Sequence, residues 1–292
     1  MSNGAAVVVG VDGSEPARRA VRLAAGEAAR RNRPLRVVHG FIWPLLRVPV
    51  GGPVDTGLRH QAQEVVAAAV AEAEAAAPGL RVTGEIIDGE AAAALLGETP
   101  TASMVVLGDR GLGGFAALVI GSVAIQVAAY ADCPVLVARG AERTAGPVVV
   151  GVDGSALSRA AVEFAAEEAA LRGTRLHAVH AYTHPVSAGP GDMQPLVYEE
   201  GQLRGEEDRL LTESLAGLAD RHPQVPVTRE VRHGRPVAVL TEASRTAQLV
   251  VVGSQGRQEL SGLLLGSVSQ GVLHHADSPV AVVRTVGADG GG

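Results

Sequence analysis

Two stretches of this chain carry the same glycine spacing. Gly108-Asp109-Arg110-Gly111 is followed, after nine residues, by Gly121-Ser122-Val123; Gly253-Ser254-Gln255-Gly256 is followed, again after nine, by Gly266-Ser267-Val268. Each comes after an apolar run (Met104 to Leu107, Leu249 to Val252) and opens a segment rich in Ala, Val and Leu. A buried strand, a glycine loop and a helix start together suit phosphate: glycine lets backbone N–H groups approach an anion, and the first amides of a helix lack partners within it. A second motif is also duplicated. Val11-Asp12-Gly13-Ser14 returns as Val152-Asp153-Gly154-Ser155. Asp-Gly is a turn dipeptide, but at a strand end in both copies the carboxylate is also placed for a ribose or a Mg²⁺-linked contact.

The cations narrow the chemistry. The chain has no lysine, so all 25 Lys-plus-Arg positions are arginine. A lysine-bearing phosphate loop and Schiff-base chemistry are thereby excluded. Arg110 and Arg257, inside the glycine loops, are the candidates for neutralising phosphate, against a bland reading as solvated surface charges. His39 and His180 read as strand-end packing residues. His274-His275, at a helix end, favours the dipole and not a shared metal, since adjacent positions face apart. Nothing in the sequence assembles a catalytic set, so no metal or catalytic site is expected.

Composition bounds the rest. A length of 292 residues gives two domains of ordinary size, and 47% hydrophobic residues describe packed cores. Aromatics at 2% and a net charge of −6 argue against a nucleic-acid partner. No apolar run approaches a membrane span of roughly 20 residues, and no signal-like segment precedes the first strand. Cys133 is the sole cysteine; it reads as a small semi-buried residue, and the chain as cytoplasmic.

The two halves repeat as whole units. Val7 to Ser14 recurs 141 positions on, as does Val37-Val38-His39, whereas the glycine pattern and the final Pro134-Val135 pair recur at 145. A net insertion of four residues therefore lies between residues 180 and 253 of the second copy, and the period indicates domain duplication, not a solenoid. In each copy, strands alternate with helices. In the first, strands fall at 6–11, 35–39, 80–87, 103–107 and 134–138, with helices at about 16–31, 58–77, 90–98 and 121–131. Apolar β-branched strands separated by helices form a parallel sheet covered on both faces, with ligands at the carboxyl ends of the strands. The boundary falls in 139–146, giving domains 1–142 and 143–292.

These motifs, in order and in both halves, resemble the universal stress protein family, and more closely its tandem-domain, ATP-binding members; the resemblance runs from about residue 5 to 285. It implies two doubly wound α/β domains of the adenine-nucleotide alpha-hydrolase-like kind, each of five strands in order 3-2-1-4-5, paired through the fifth strands. It implies ATP, with or without Mg²⁺, at one site per domain. Gly10, Val11 and Asp12, with Gly151, Val152 and Asp153, would line purine and ribose. Gly40 and Ala181 would offer backbone to adenine. Gly108, Gly111, Gly121, Ser122 and Val123 would hold phosphate in the first domain, and Gly253, Gly256, Gly266, Ser267 and Val268 in the second. The family's loop continues with small or basic residues, as Gly113-Gly114 does, whereas the second copy has Gln258-Glu259. Asp109 stands where serine is commoner and is expected to set a negative charge beside the phosphates. The implied role is a stress-response regulator whose nucleotide state changes binding to a protein partner, with homodimers through fifth-strand edges. A slow Mg²⁺-dependent ATPase or phosphotransferase, and a nucleotide-free interaction module, are the alternatives. Trp43, in the Pro/Gly-rich loop 40–56, is placed either as part of a lid over the first nucleotide or as a local plug.

Overall fold

The structure is a computed structural model that describes residues 5–42, 55–112, 120–183, 200–256 and 265–284. Contacts divide the chain into two compact units. One is Met1–Ala141 joined by Pro279–Gly292; the other is Glu142–Ser278. The contact boundary thus departs from the sequence boundary in assigning the last segment to the first unit.

In the first unit, β1 (Val7–Gly10), β2 (Leu35–Phe41), β3 (Val82–Asp88), β4 (Met104–Gly108) and β5 (Val135–Ala138) alternate with α1 (Glu15–Arg30), α2 (Asp55–Ala76), α3 (Ala91–Glu98) and α4 (Ser122–Tyr130). The strands run in order β3-β2-β1-β4-β5, all parallel, with Val7 level with both Leu35 and Met104. Val7, Val8 and Val9 are fully buried because the sheet is covered on both faces. Helices α1 and α2 pack together, as do α3 and α4. On α1, Ala20, Ala24, Ala25 and Ala28 face inward and let the helix lie close on the strands. Ser14 starts α1 as expected: its Oγ accepts from the Ala17 N–H at 3.3 Å, with Pro16 in the first turn.

The second unit repeats this plan with β6 (Val148–Gly151), α5 (Ala156–Leu171), β7 (Leu176–Tyr182), α6 (Glu200–Ser214), α7 (Leu218–Arg221), β8 (Val227–His233), α8 (Pro236–Ser244), β9 (Leu249–Gly253) and α9 (Ser267–His275). Its strand order is β8-β7-β6-β9, again parallel. Ser155 caps α5 through a bond from the Ser158 N–H at 3.1 Å. The span of α2 is here broken into α6 and α7 by Gly217, whose φ of +71° is left-handed. Val65 packs at Gly13 and Leu210 at Gly154, a separation of 145, whereas Phe41 and Tyr182 end β2 and β7 141 apart. The inserted residues therefore lie between Tyr182 and Leu210.

The last strand, β10 (Val280–Val283), is part of the first unit by contact. It runs antiparallel to β5, with Ala281 opposite Leu136, so β5 is hydrogen-bonded on both edges.

Candidate functional site

Each unit gathers its two duplicated motifs at the carboxyl ends of the strands. In the first, the end of β1 is fixed by two contacts. The Val11 N–H donates to the Val38 carbonyl at 2.9 Å, and His39 Nδ1 lies 2.7 Å from the Val11 carbonyl. The chain then turns at Gly13, where φ is +85°. Asp12 holds this turn and the glycine loop together: Oδ1 accepts from the Ser14 N–H at 3.0 Å and Oδ2 from the Leu112 N–H at 2.8 Å. The second copy repeats the first part. The Val152 N–H donates to Val179, His180 Nδ1 lies 2.6 Å from the Val152 carbonyl, and Asp153 Oδ1 accepts from the Ser155 N–H at 3.0 Å.

The glycine loops close on themselves in the same way. The Gly121 N–H donates to the Asp109 carbonyl at 2.7 Å, and the Gly266 N–H to the Ser254 carbonyl at 2.7 Å. These glycines are the N-caps of α4 and α9 and provide no side-chain cap, unlike Ser14 and Ser155 on α1 and α5. The first-turn amides at Ser122, Val123, Ser267 and Val268 therefore present their partial positive charge to whatever lies in front of them.

In front of them are cavities. The first, about 320 Å³, is lined by Gly10, Val11, Asp12, Gly40, Gly108, Arg110, Gly111, Gly121, Ser122 and Val123, all named from the sequence. Its remaining wall is apolar and was not foreseen: Ala17, Val38, Ala91, Leu95, Leu107, Ile120 and Ala124, with Leu112 at the loop. The second, about 370 Å³, is lined by Gly151, Val152, Asp153, Ala181, Gly253, Gly256, Gly266, Ser267 and Val268. To these it adds Ser158, His180, Tyr182, Thr183, Glu207, Gln255 and Ser269, a more polar set that the glycine pattern does not signal. Volumes of this order suit a small molecule. Gly113, Gly114, Arg257 and residues 43–54 of the Trp43 loop lie outside the described residues, while Gly40 and Phe41 end β2 and residues 55 and 56 open α2.

The glycines of the pattern do different work. A Cβ on Gly108 would lie 2.7 Å from the Pro16 carbonyl carbon, and one on Gly40 would lie 2.6 Å from Ala91 Cα, so both are needed for close packing. At Gly121 the nearest atom would be Arg110 Cα at 3.5 Å, with φ at an ordinary −75°. Neither packing nor backbone conformation requires a glycine there; the open cavity in front of it is what a side chain would fill.

Asp109 corrects an expectation. Its side chain is buried and absent from the cavity wall, because Arg19 of α1 draws it away: Arg19 Nη2 lies 3.1 Å from Oδ1, and Arg110 Nε 3.9 Å from Oδ2. The carboxylate is paired and does not face a bound anion. His180 is also more than packing. Its Nδ1 faces a carbonyl, so that nitrogen carries a proton, and its Nε2 lies 2.7 Å from Glu207 Oε2. Both nitrogens are thereby engaged by fixed partners of the protein itself. Among the described residues, no group of three or more His, Cys, Asp or Glu is arranged to hold a metal, and no helix is long and apolar enough to cross a membrane.

The sequence matches the universal stress protein family over residues 5–139 and 145–284, which are the two repeats. The chain belongs to that family. A universal stress protein of Mycolicibacterium smegmatis is 38% identical over 294 residues, covering 95% of this chain and 96% of that protein. One of Mycobacterium tuberculosis H37Rv is 40% identical over 294 residues, with the same coverage. Both relatives are spanned nearly end to end, so the tandem arrangement is theirs as well. The crystal structure of a universal stress protein from Archaeoglobus fulgidus shares the fold with a TM-score of 0.69, at 20% identity, over 98% of this chain and 97% of that one. In this universal stress protein, both repeats keep the strand-end aspartate, the closed glycine loop and the uncapped helix.

Proposed function

We propose that each unit binds an adenine nucleotide, ATP in the first instance, and that nucleotide occupancy changes binding to a protein partner in a cytoplasmic stress response. The observation that carries the reading is the convergence, on one small cavity in each unit, of a closed glycine loop and an uncapped helix N-terminus with the strand-end aspartate opposite. Backbone amides in that arrangement favour phosphate, and an aspartate at the end of the first strand suits ribose hydroxyls. Asp12 and Asp153 are also the strand-end carboxylates that would be available to a nucleotide-bound Mg²⁺. The family resemblance supplies adenine, against the strand ends at Gly40 and Ala181.

Regulation fits these walls better than rapid turnover. Efficient hydrolysis needs a group that orients water and cations that stabilise the transferring phosphoryl. His180 is held by Val152 and Glu207, and Arg110 is the cationic residue in the described wall of the first cavity. Native mass spectrometry of the freshly purified chain tests the reading. The expected result is a mass increment for one or two adenine nucleotides per chain, lost on denaturation. A bare chain that also gives no heat with ATP in calorimetry would overturn it.

A further inference from the structure

The two cavities differ where a nucleotide's charge would lie. At the phosphate end, the first has Arg110 in its wall and Asp109 held by Arg19 behind it. The second has Gln255 and Ser254 in those places, and Ala160 in place of Arg19. Among the described residues, the first phosphate end thus carries the Arg110 cation where the second carries a neutral amide. The opposite end shows the reverse. Glu207, held by His180 at 2.7 Å, puts a carboxylate in the wall of the second cavity, and the corresponding residue of the first unit is the buried Ala62. Held there, Glu207 offers a fixed hydrogen-bond acceptor that the first cavity lacks.

From these differences we infer that the second site recognises the nucleoside end more and the phosphates less. The first site is matched to the nucleoside triphosphate and the second to the monophosphate, a division of labour that rests on the nucleotide reading above. A charge-assisted hydrogen bond from arginine to phosphate is roughly twice as strong as one from a neutral amide. The preference for ATP over AMP should therefore be about tenfold or more greater at the first site.

The test uses the whole chain in Mg²⁺-free buffer, with calorimetric titrations of ATP and of AMP. Gly266→Val reports the first site and Gly121→Val the second, each checked for an unchanged melting temperature. The expected result is a ratio of AMP to ATP dissociation constants at least about ten times larger in Gly266→Val than in Gly121→Val. Adding Gln255→Arg to Gly121→Val should tighten ATP about tenfold with little change for AMP, and adding Glu207→Gln should weaken AMP. Should the glycine variants unfold, Arg110→Gln and Gln255→Arg are read singly on two-site isotherms. Equal ratios at the two sites, or ratios unmoved by the charge substitutions, would overturn the division while leaving nucleotide binding intact. No heat with either nucleotide at either site would overturn both.

Discussion

Gly108 and Gly121 stand in one motif, yet they should respond to the same substitution in opposite ways. Valine at Gly121 meets its nearest neighbour at an ordinary contact distance of 3.5 Å on a backbone already extended, so the fold should survive within about 1 kcal/mol while nucleotide stoichiometry falls by one. Valine at Gly108 drives a Cβ into the backbone of Pro16 and should cost on the order of 1–3 kcal/mol before any ligand is considered. Denaturant melts beside calorimetric titrations separate the two; equal destabilisation at both positions would remove the distinction. The pattern's presence was legible in the sequence, but its two kinds of glycine were not, since what separates them is a helix more than 90 positions away. Asp109 was misread for the same reason, its partner Arg19 lying on α1. Cys133 gives a second test at this scale. Burial pushes its thiol up to about 12, the Asp132 carboxylate adds to this, and a backbone hydrogen bond at Val105 offsets part. A raised folded value means stability that is whole below the ordinary thiol value of 9.0 and is lost as pH climbs from there towards 12. The slope should approach about 1.4 kcal/mol per pH unit. Cys133→Ala should flatten it, leaving the tyrosines, as the chain has no lysine to titrate there. An unchanged slope in urea melts between pH 8 and 11 would refute this.

Helix α1 and helix α5 each bury a glutamate in their last turns, Glu27 and Glu168, with no exposure to solvent. Arg172 Nε donates to Glu168 Oε2 at 2.9 Å, and its own side chain is nearly covered. Removing one partner of such a pair leaves a charge inside, so Glu168→Leu should destabilise the second unit by about 3–5 kcal/mol. The double change Glu168→Leu with Arg172→Leu should recover much of that loss, and a double-mutant cycle reads the difference. Helix packing also carries a reversal of sign. Arg22 of α1 pairs with Glu72 of α2, whereas Glu163 of α5 pairs with Arg221 of α7. Burial would raise the Glu163 carboxyl, but hydrogen bonds from Arg221 and His222 outweigh it and hold the group below its usual range. Elements themselves were legible, because apolar runs and Ser14 and Ser155 caps are local signals. The break between α6 and α7 was not, as it depends on one glycine, Gly217, adopting a left-handed conformation in an otherwise helical pattern.

The first unit depends on a strand from the far end of the chain. Sequence reasoning placed β5 and β10 as apolar edge strands that pair the two repeats, as they do, and expected homodimers through the same edges besides. Within the first unit β5 already has β4 on one side and β10 on the other, so a second copy could add there only by displacing β10. The outer strand of this unit is of another kind: β3 is largely solvent-facing and carries Glu85 and Asp88, charges that discourage strand addition. The same holds for β8 at the edge of the second unit, with Arg229, Glu230 and Arg232. Duplication and fold were readable from the repeats, and the pairing of β5 with β10 was expected from the family resemblance, not from Val280 to Val283 themselves, which look the same whether they cover their own chain or another. A deletion from Pro279 onward decides between these. Stripped of β10, the buried apolar β5 would present an unpaired row of N–H and C=O groups, and the truncated chain should associate in a concentration-dependent way in sedimentation velocity. The full chain should show no such association through this edge, and the amides of Leu136 and Val137 should exchange slowly with deuterium at every concentration. Amide protection at Leu136 that appears only as the full chain is concentrated would mean that a second copy, and not β10, covers the strand.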